Sequence, residues 1–247
     1  MKLTKDVYLV GSGGKGIHLT DAFDCHVYVI DGGSELALVD TGAGLGIDQI
    51  LQNIVEDGFS LERVKYVLLT HGHADHAGGT KKLLEKIDAQ VLCSSHTATY
   101  LEQGDEEAIS LSMAKKAGFY PMDYVFESAP VDRVVKEGDV ITVGRHKIEV
   151  IETPGHSRDH ISFLMNTPEK RYLFGGDLIF YEGRVATQCI PDCNVFDLGN
   201  SLRKLKEKQI DALLPGHDMF VLNHAQDHIT KAIESIERMV IPQSIIY

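Results

Sequence analysis

"VLLTHGHADHAGG", residues 67–79, crowds His71, His73, Asp75 and His76 into six residues directly after an apolar run. Every residue between and just after them is Gly or Ala, so nothing bulky competes for the space. In an extended chain, residues two apart point the same way, which lets His71 and His73 grip one ion. Asp75 and His76 are neighbours and would face opposite ways in a strand, so the backbone must turn there for both to serve. Ala77, Gly78 and Gly79 permit such a turn close to a bound ion. One ion cannot easily use all four side chains. A pair of ions can.

Three further segments share this grammar of an apolar strand-like run, a Gly-containing turn and a metal-competent side chain. "KIEVIETPGH" ends on His156, "RYLFGGD" on Asp177 and "DALLPGH" on His217, while "LALVDTG" offers Asp40. Functional groups concentrate on loops held by rigid sheets, and strand ends can converge on one rim. Catalytic zinc typically keeps three protein ligands and one open position. His71, His73 and His156 make one such set, and Asp75, His76 and His217 make another. Asp177 is left over, with two oxygens with which to bridge. Two divalent ions carry four positive charges, against three negative ones on Asp75, Asp177 and a bridging hydroxide, so the pocket keeps a net positive charge. Such ions lower the pKa of bound water from ~15.7 toward ~7, which gives a nucleophile at neutral pH. The chemistry expected is hydrolysis, with Asp75 and Asp177 as its catalytic carboxylates.

The rest of the chain frames that site. At 247 residues it is long enough to bury a full core, and 43% hydrophobic with 24% charged residues is the composition of a globular protein. The formal net charge of -12 repels nucleic acid and anionic membranes, so neither is an expected partner; a small-molecule substrate is. No apolar stretch approaches the ~18 residues of a membrane span, and no secretory signal is expected at "MKLTKDVYLV". Four cysteines, at 25, 93, 189 and 193, are too few for a disulfide framework and suit free thiols in a cytoplasm.

Short apolar runs at 7–10, 26–30, 36–39, 64–69, 91–93, 148–151, 162–165, 172–174 and 212–214 predict strands. Helical periodicity in "GIDQILQNIVEDG", "TKKLLEKI", "DEEAISLSMAKKAG", "FDLGNSLRKLKEK" and "HITKAIESIERM" predicts helices between them. The class is α/β. One domain over 1–247 is the simplest organisation, with a mostly helical, polar insertion around 94–132.

Taken together, "THGHADHAGG", "VDTG", "TPGHS", "GGD" and "LPGH", in that order, resemble the signature positions of the metallo-β-lactamase-fold hydrolases over residues 23 to 220. The resemblance implies a four-layer αββα sandwich with a metal site along one edge of the paired sheets. It implies two divalent ions, zinc first, although imidazole and carboxylate also serve iron and manganese. His71, His73 and His156 would hold the first, Asp75, His76 and His217 the second, and Asp177 would bridge. Asp40 would orient a ligand imidazole or the loop.

Fold is not function, and departures narrow the choice. True β-lactamases are secreted and commonly carry Cys at the place of Asp177. Flavodiiron proteins carry Glu at the place of His73, and the nuclease branch has extra domains and a basic surface. Glyoxalase II-type thioesterases match best by motif, but only about thirty residues follow His217, too few for a glutathione-binding helical domain. Lactonases of this fold use a Tyr shortly after the bridging Asp, which makes Tyr181 a candidate substrate contact. The expected substrate is therefore a small thioester, ester or lactone. The alternatives are a mononuclear iron persulfide dioxygenase and a phosphodiesterase. Outside the ligand set, His160 is the histidine placed to approach the pocket. "CIPDC" at 189–193 reads as two ordinary thiols near the pocket, and "GSGGKG" at 11–16 as a hairpin tip near the site. The apolar "IPQSIIY" terminus would dock either on its own domain or on a second copy in a homodimer.

Overall fold

Strands whose two faces are both apolar need a layer on each side, and the architecture supplies one. The computed structural model describes residues 1–246; Tyr247 lies outside them. Strands β1 (Val7–Gly11), β2 (Val27–Asp31), β3 (Leu36–Val39), β4 (Val64–Leu68), β5 (Gln90–Cys93) and β6 (Arg133–Val134) form one sheet in that order. Its first three strands pair antiparallel and the remainder parallel. The second sheet contains β7 (Val140–Val143), β8 (His146–Glu152), β9 (Ile161–Asn166), β10 (Arg171–Gly176) and β11 (Ala212–Pro215), ordered β11-β10-β9-β8-β7. Only β10 and β11 run parallel there.

Alternation along each strand sends one set of side chains between the sheets and the other outward. From β1, Val7 and Leu9 meet Phe163, Phe174 and Ile148 of the facing sheet. Tyr8 and Val10 instead pack outward with Ile50 and Ile54 of helix α1 (Ile47–Glu56). Helices α2 (Ala74–Ala77), α3 (Thr80–Leu84), α4 (Ser95–Gln103) and α5 (Leu111–Lys116) contribute Ala77, Leu83, Leu101 and Leu111 to the same outer layer. Helices α6 (Val195–Lys204) and α7 (Ala225–Glu237) cover the second sheet through Leu198, Leu202, Ile229 and Ile233. The layers are α, β, β and α, the sandwich anticipated from the motifs. Each large side chain fully buried between the sheets, such as Phe163 or Phe174, contributes roughly 1.5–3 kcal/mol.

The nine anticipated strands form, each within two residues of the expected bounds. The hairpin β7–β8 starts earlier than expected, because the edge strand Val140–Val143 alternates exposed and buried residues rather than forming an apolar run. The 94–132 segment departs more. Its second helix begins only at Leu111, because Ser110 sits in the left-handed region at φ 57° and Asp105 Oδ1 ties down the N–H groups of Glu107 and Ala108 in a turn. The segment is not polar on its inner side: Ile109, Tyr124, Phe126 and Ala129 join the outer core. The described part of the "IPQSIIY" segment, residues 241–246, docks on its own chain, where Ile245 N–H donates to the Val185 carbonyl and Val185 N–H to the Gln243 carbonyl; Tyr247 lies outside the described residues.

Two glycines show how tightly the rim is built. Gly155, in "TPGH", has φ 146°, and a Cβ there would lie 2.4 Å from the backbone of Leu198 in α6. Gly58 has φ 89° but open space around it. Gly155→Ala should therefore cost on the order of 2–4 kcal/mol, and Gly58→Ala only about 1 kcal/mol of left-handed strain. Urea midpoints of the two variants, measured side by side, check this; equal losses would contradict the packing argument.

Candidate metal centre

The rim of the sandwich gathers the ends of strands from both sheets. The chain leaves β4 into His71 and His73, and α2 then turns so that Asp75 and His76 face the same centre. His156 follows β8, Asp177 directly follows β10, and His217 lies in the turn after β11. Hydrogen bonds across the rim lock these loops together. Ile161 N–H donates to the Thr70 carbonyl, Gly216 N–H to Gly176 and His26 N–H to Gly216. Gly216 itself is required by proximity, since a Cβ there would meet Asp177 Oδ1 at 2.4 Å and the His76 ring at 2.5 Å.

All seven anticipated ligands converge. His71, His73 and His156 bring ligand atoms within 4.8 Å of one another, as do Asp75, His76 and His217. His156 Nε2 lies 2.9 Å from His73 Nδ1, and His217 Nε2 lies 3.0 Å from Asp75 Oδ2. Between the sets stands Asp177. Its Oδ2 is 3.6 Å from His156 Nε2 and 3.5 Å from His217 Nε2, and its Oδ1 is 3.4 Å from His76 Nε2. The buried atoms His71 Nε2, His76 Nε2 and Asp177 Oδ1 have no hydrogen-bond partner. Buried polar atoms are rarely left so, and several aimed at one spot have the chemistry of a donor set that could hold a cation.

Charge points the same way. Burial pushes the His71 imidazole well below its ordinary pKa and His156 down to about 4, so both stay neutral with a lone pair to donate. Asp177 is held well below the carboxylate range: burial opposes ionisation, but His217, His76 and His156 outweigh it. Asp75 is lowered likewise, by His76 and His217 against its burial. Cys25, which lies with Asp40 behind His76, is pushed by burial to about 12 and so remains a thiol rather than a thiolate ligand.

The orienting shell is where the structure adds most. Asp40 Oδ2 lies 2.8 Å from His76 Nδ1, while its two oxygens accept from the Thr70 hydroxyl and backbone N–H. The Thr70 hydroxyl in turn sits 3.0 Å from His71 Nδ1. One carboxylate thus aims two ligand rings. His156 Nδ1 donates to the Ala186 carbonyl. Asp159 went unremarked in the sequence, yet it is buried and accepts from Gly72 N–H, Thr97 Oγ1 and Ser157 Oγ. It joins the His71–His73 turn, the His156 loop and the start of α4. Its signal was its place in "TPGHSRDH", one residue before His160. Asp192 was also passed over; its Oδ2 stands 3.5 Å from His73 Nε2, an ion-pair separation, and its Oδ1 accepts from Ser110.

Two candidate substrate contacts fall elsewhere. His160 is buried behind the ligands, with Nδ1 on the Thr153 hydroxyl and Nε2 accepting from Asp177 N–H, so it supports the cluster and does not face the cleft. Tyr181 packs its ring on His228 of α7 at 4.8 Å and does not line the cleft. The 3₁₀ turn at 181–183 points it toward that helix. Cys189 does border the cleft, and so does Lys15 of "GSGGKG", whose carbonyl accepts from Asp218 N–H beside His217.

A family model described as the metallo-beta-lactamase superfamily matches residues 20–217. The chain belongs to that superfamily. Within it, the chain is 26% identical over 228 residues to acyl-coenzyme A thioesterase MBLAC2 of Gallus gallus, covering 84% of this chain and 79% of that protein. It is 32% identical over 160 residues to a hydroxyacylglutathione hydrolase of Rhodopseudomonas palustris, covering 64% of this chain. It is also similar to BJP-1, a subclass B3 metallo-beta-lactamase of Bradyrhizobium japonicum, at 26% identity and a TM-score of 0.73 over 97% of this chain and 91% of that one. The chain spans about half of several of these relatives, 55% of a Caenorhabditis elegans beta-lactamase-like protein 2 homolog and 49% of the R. palustris hydrolase. Among the described residues, no helix is long and apolar enough to cross a membrane.

Asp40→Asn keeps a residue tolerant of the left-handed φ of 61° but replaces an acceptor that serves two rings. Metal affinity, read by competition with a chromogenic chelator, should fall about 10–100-fold. Acid stability offers a second check. Burial lowers the His26 imidazole to about 4 from an ordinary 6.5, and its Nδ1 has no partner. The unfolded chain takes up this proton first, so the contribution is fully present above pH 6.5 and is lost as pH falls toward 4. It amounts to on the order of 3 kcal/mol. The urea midpoint of His26→Asn should accordingly show a shallower acid slope than that of the unsubstituted chain between those limits.

Proposed function

We propose that the chain is a dinuclear metal-dependent hydrolase of small thioesters, esters or lactones. The observation that carries this reading is the place of Asp177, whose one oxygen lies within 3.6 Å of an imidazole from each ligand set. His71, His73 and His156 would hold one ion, Asp75, His76 and His217 the other, with Asp177 shared. Zinc suits these nitrogen and oxygen donors, as do iron and manganese. When bound, such a pair supplies a water nucleophile at neutral pH and polarises the carbonyl under attack.

The chain's own groups do the rest. Asp75 and Asp177 are ionised at neutral pH, so each accepts a hydrogen bond from the attacking water and orients it toward the cleft. Asp40, Thr70 and the Ala186 carbonyl hold His76, His71 and His156 in the tautomer that leaves the inward nitrogen free. His73, Asp75 and His217 border the cleft, so a substrate carbonyl meets the cluster there. The thioesterase and hydroxyacylglutathione hydrolase relatives support this choice of scissile bond.

Asp177→Asn should reduce bound metal, measured by mass spectrometry of the purified protein, from two ions per chain to one or none. It should lower kcat/KM by about a thousandfold, the several kcal/mol such ions supply. A panel of thioesters, esters, lactones, phosphodiesters and a β-lactam, assayed with metal content in parallel, tests the substrate class. Oxygen uptake with a persulfide would instead assign an oxygenase.

A further inference from the structure

The cleft that opens on the cluster has a volume of about 530 Å³. His73, Asp75 and His217 form its reactive side, but most of its lining is apolar. Leu111, Met113 and Ala114 of α5, with Ala117 just beyond it, supply one wall, and Ile190 and Ile246 come from two other segments. The small side chains at 114 and 117, one helical turn apart, leave the space open. Met113 adds a flexible, polarizable contact that adapts to a chain. Met113 and Phe119 remain 42% and 59% exposed among the described residues, apolar surface beside the cluster.

The α5 wall itself offers no polar side chain, and several polar groups near it are engaged already, whereas the side chains of Lys15, Tyr120, Thr187 and Gln188 stand on the other walls. Asp24 accepts from the Thr20 hydroxyl and Ala43 N–H, and the Ser110 hydroxyl donates to Asp192. Thr187 N–H is taken by Ser244 and Gln188 N–H by the Cys193 sulfur. A sugar, peptide or nucleotide moiety laid along α5 would surrender water without replacement partners. Of the three aromatic rings in the lining, Phe23 and Tyr120 stack on each other at 5.2 Å and offer no slot between them for a flat ring, while Phe119 stands exposed at the edge. What fits is a chain of methylenes.

We infer that this cleft binds a linear aliphatic acyl chain, so that the substrate is an alkanoyl thioester, ester or lactone whose carbonyl reaches His73, Asp75 and His217. The identity of the reacting bond rests on the hydrolase reading above; the chain site does not. In the reaction, water delivers its oxygen to the acyl carbon, the C–S or C–O bond breaks, and the water protons pass one to the new acid and one to the leaving thiol or alcohol, which in a lactone stays on the same molecule as a hydroxy acid. No oxidant or reductant is needed.

The test uses the metal-loaded full chain and two series of unbranched compounds. Binding of free acids from butanoate to decanoate is measured by displacement of dansyl-undecanoic acid, and hydrolysis of thioesters from acetyl to decanoyl is measured alongside. Both affinity and kcat/KM should rise about fourfold per methylene until the cleft is filled. Ala114→Phe should flatten this dependence for the longer chains, and Met113→Gln, at an exposed position that does not challenge folding, should lower it throughout. Affinity independent of chain length overturns the inference, and so does a steep dependence unaltered in both variants. Steep binding with no hydrolysis of any thioester upholds the chain site while removing the hydrolase reading; hydrolysis with no length dependence does the reverse.

Discussion

Asp40 holds a buried carboxylate between Thr70 and His76, and the geometry of the centre follows from it. The group sits at φ 61°, in the left-handed region, at the end of β3, where Asp40 N–H donates to Leu68 of the neighbouring strand. From there it aims His76 directly and His71 through the Thr70 hydroxyl. Non-glycine residues are uncommon in that region, and Asp is among those that tolerate it. The backbone strain is small beside the gain of fixing two ligand rings before any ion arrives, since a ligand that must be ordered on binding loses affinity to that ordering.

The sandwich converts this local arrangement into a convergent one. The cluster is drawn from the ends of four strands, β4, β8, β10 and β11, and the two sheets are joined at that rim by bonds such as Ile161 to Thr70 and His26 to Gly216. Glycines stand where side chains would collide with the cluster. The "PGH" at 215–217 is legible as a motif, but its physical reason is three-dimensional: Asp177 and the His76 ring occupy the volume a Cβ at 216 would need. Seven side chains from four loops thereby share one small space, in which the imidazoles hold the Asp75 and Asp177 carboxylates ionised.

Around this centre the 94–132 segment does two things. Its inward residues complete the outer core, and Asp159 ties it through Thr97 to the turn that carries His71 and His73. Its α5 face walls the cleft. The clustered His and Asp side chains and the cleft walls are therefore built by different parts of the chain, the former by strand ends and the latter chiefly by the 109–120 and 187–190 segments and Ile246. Such a division lets one centre serve many substrates across a superfamily.

The clustered His and Asp residues and the strands were readable from the amino-acid sequence because both are local. A His-x-His-x-Asp-His run declares itself by spacing, and strands buried on both faces are continuous apolar runs. Asp40 was legible for the same reason, as the end of "LALVD". Residues whose roles depend on distant partners were not. Asp159 acts through Gly72 and Thr97, and Asp192 faces His73 across more than a hundred residues of chain. His160 and Tyr181 had the right neighbours in sequence, but packing turned one behind the ligands and the other onto α7. The polar-looking 94–132 segment hid an apolar inner face because its contacts obey no single period, and only the folded chain decided which of its residues would meet the core and which the cleft.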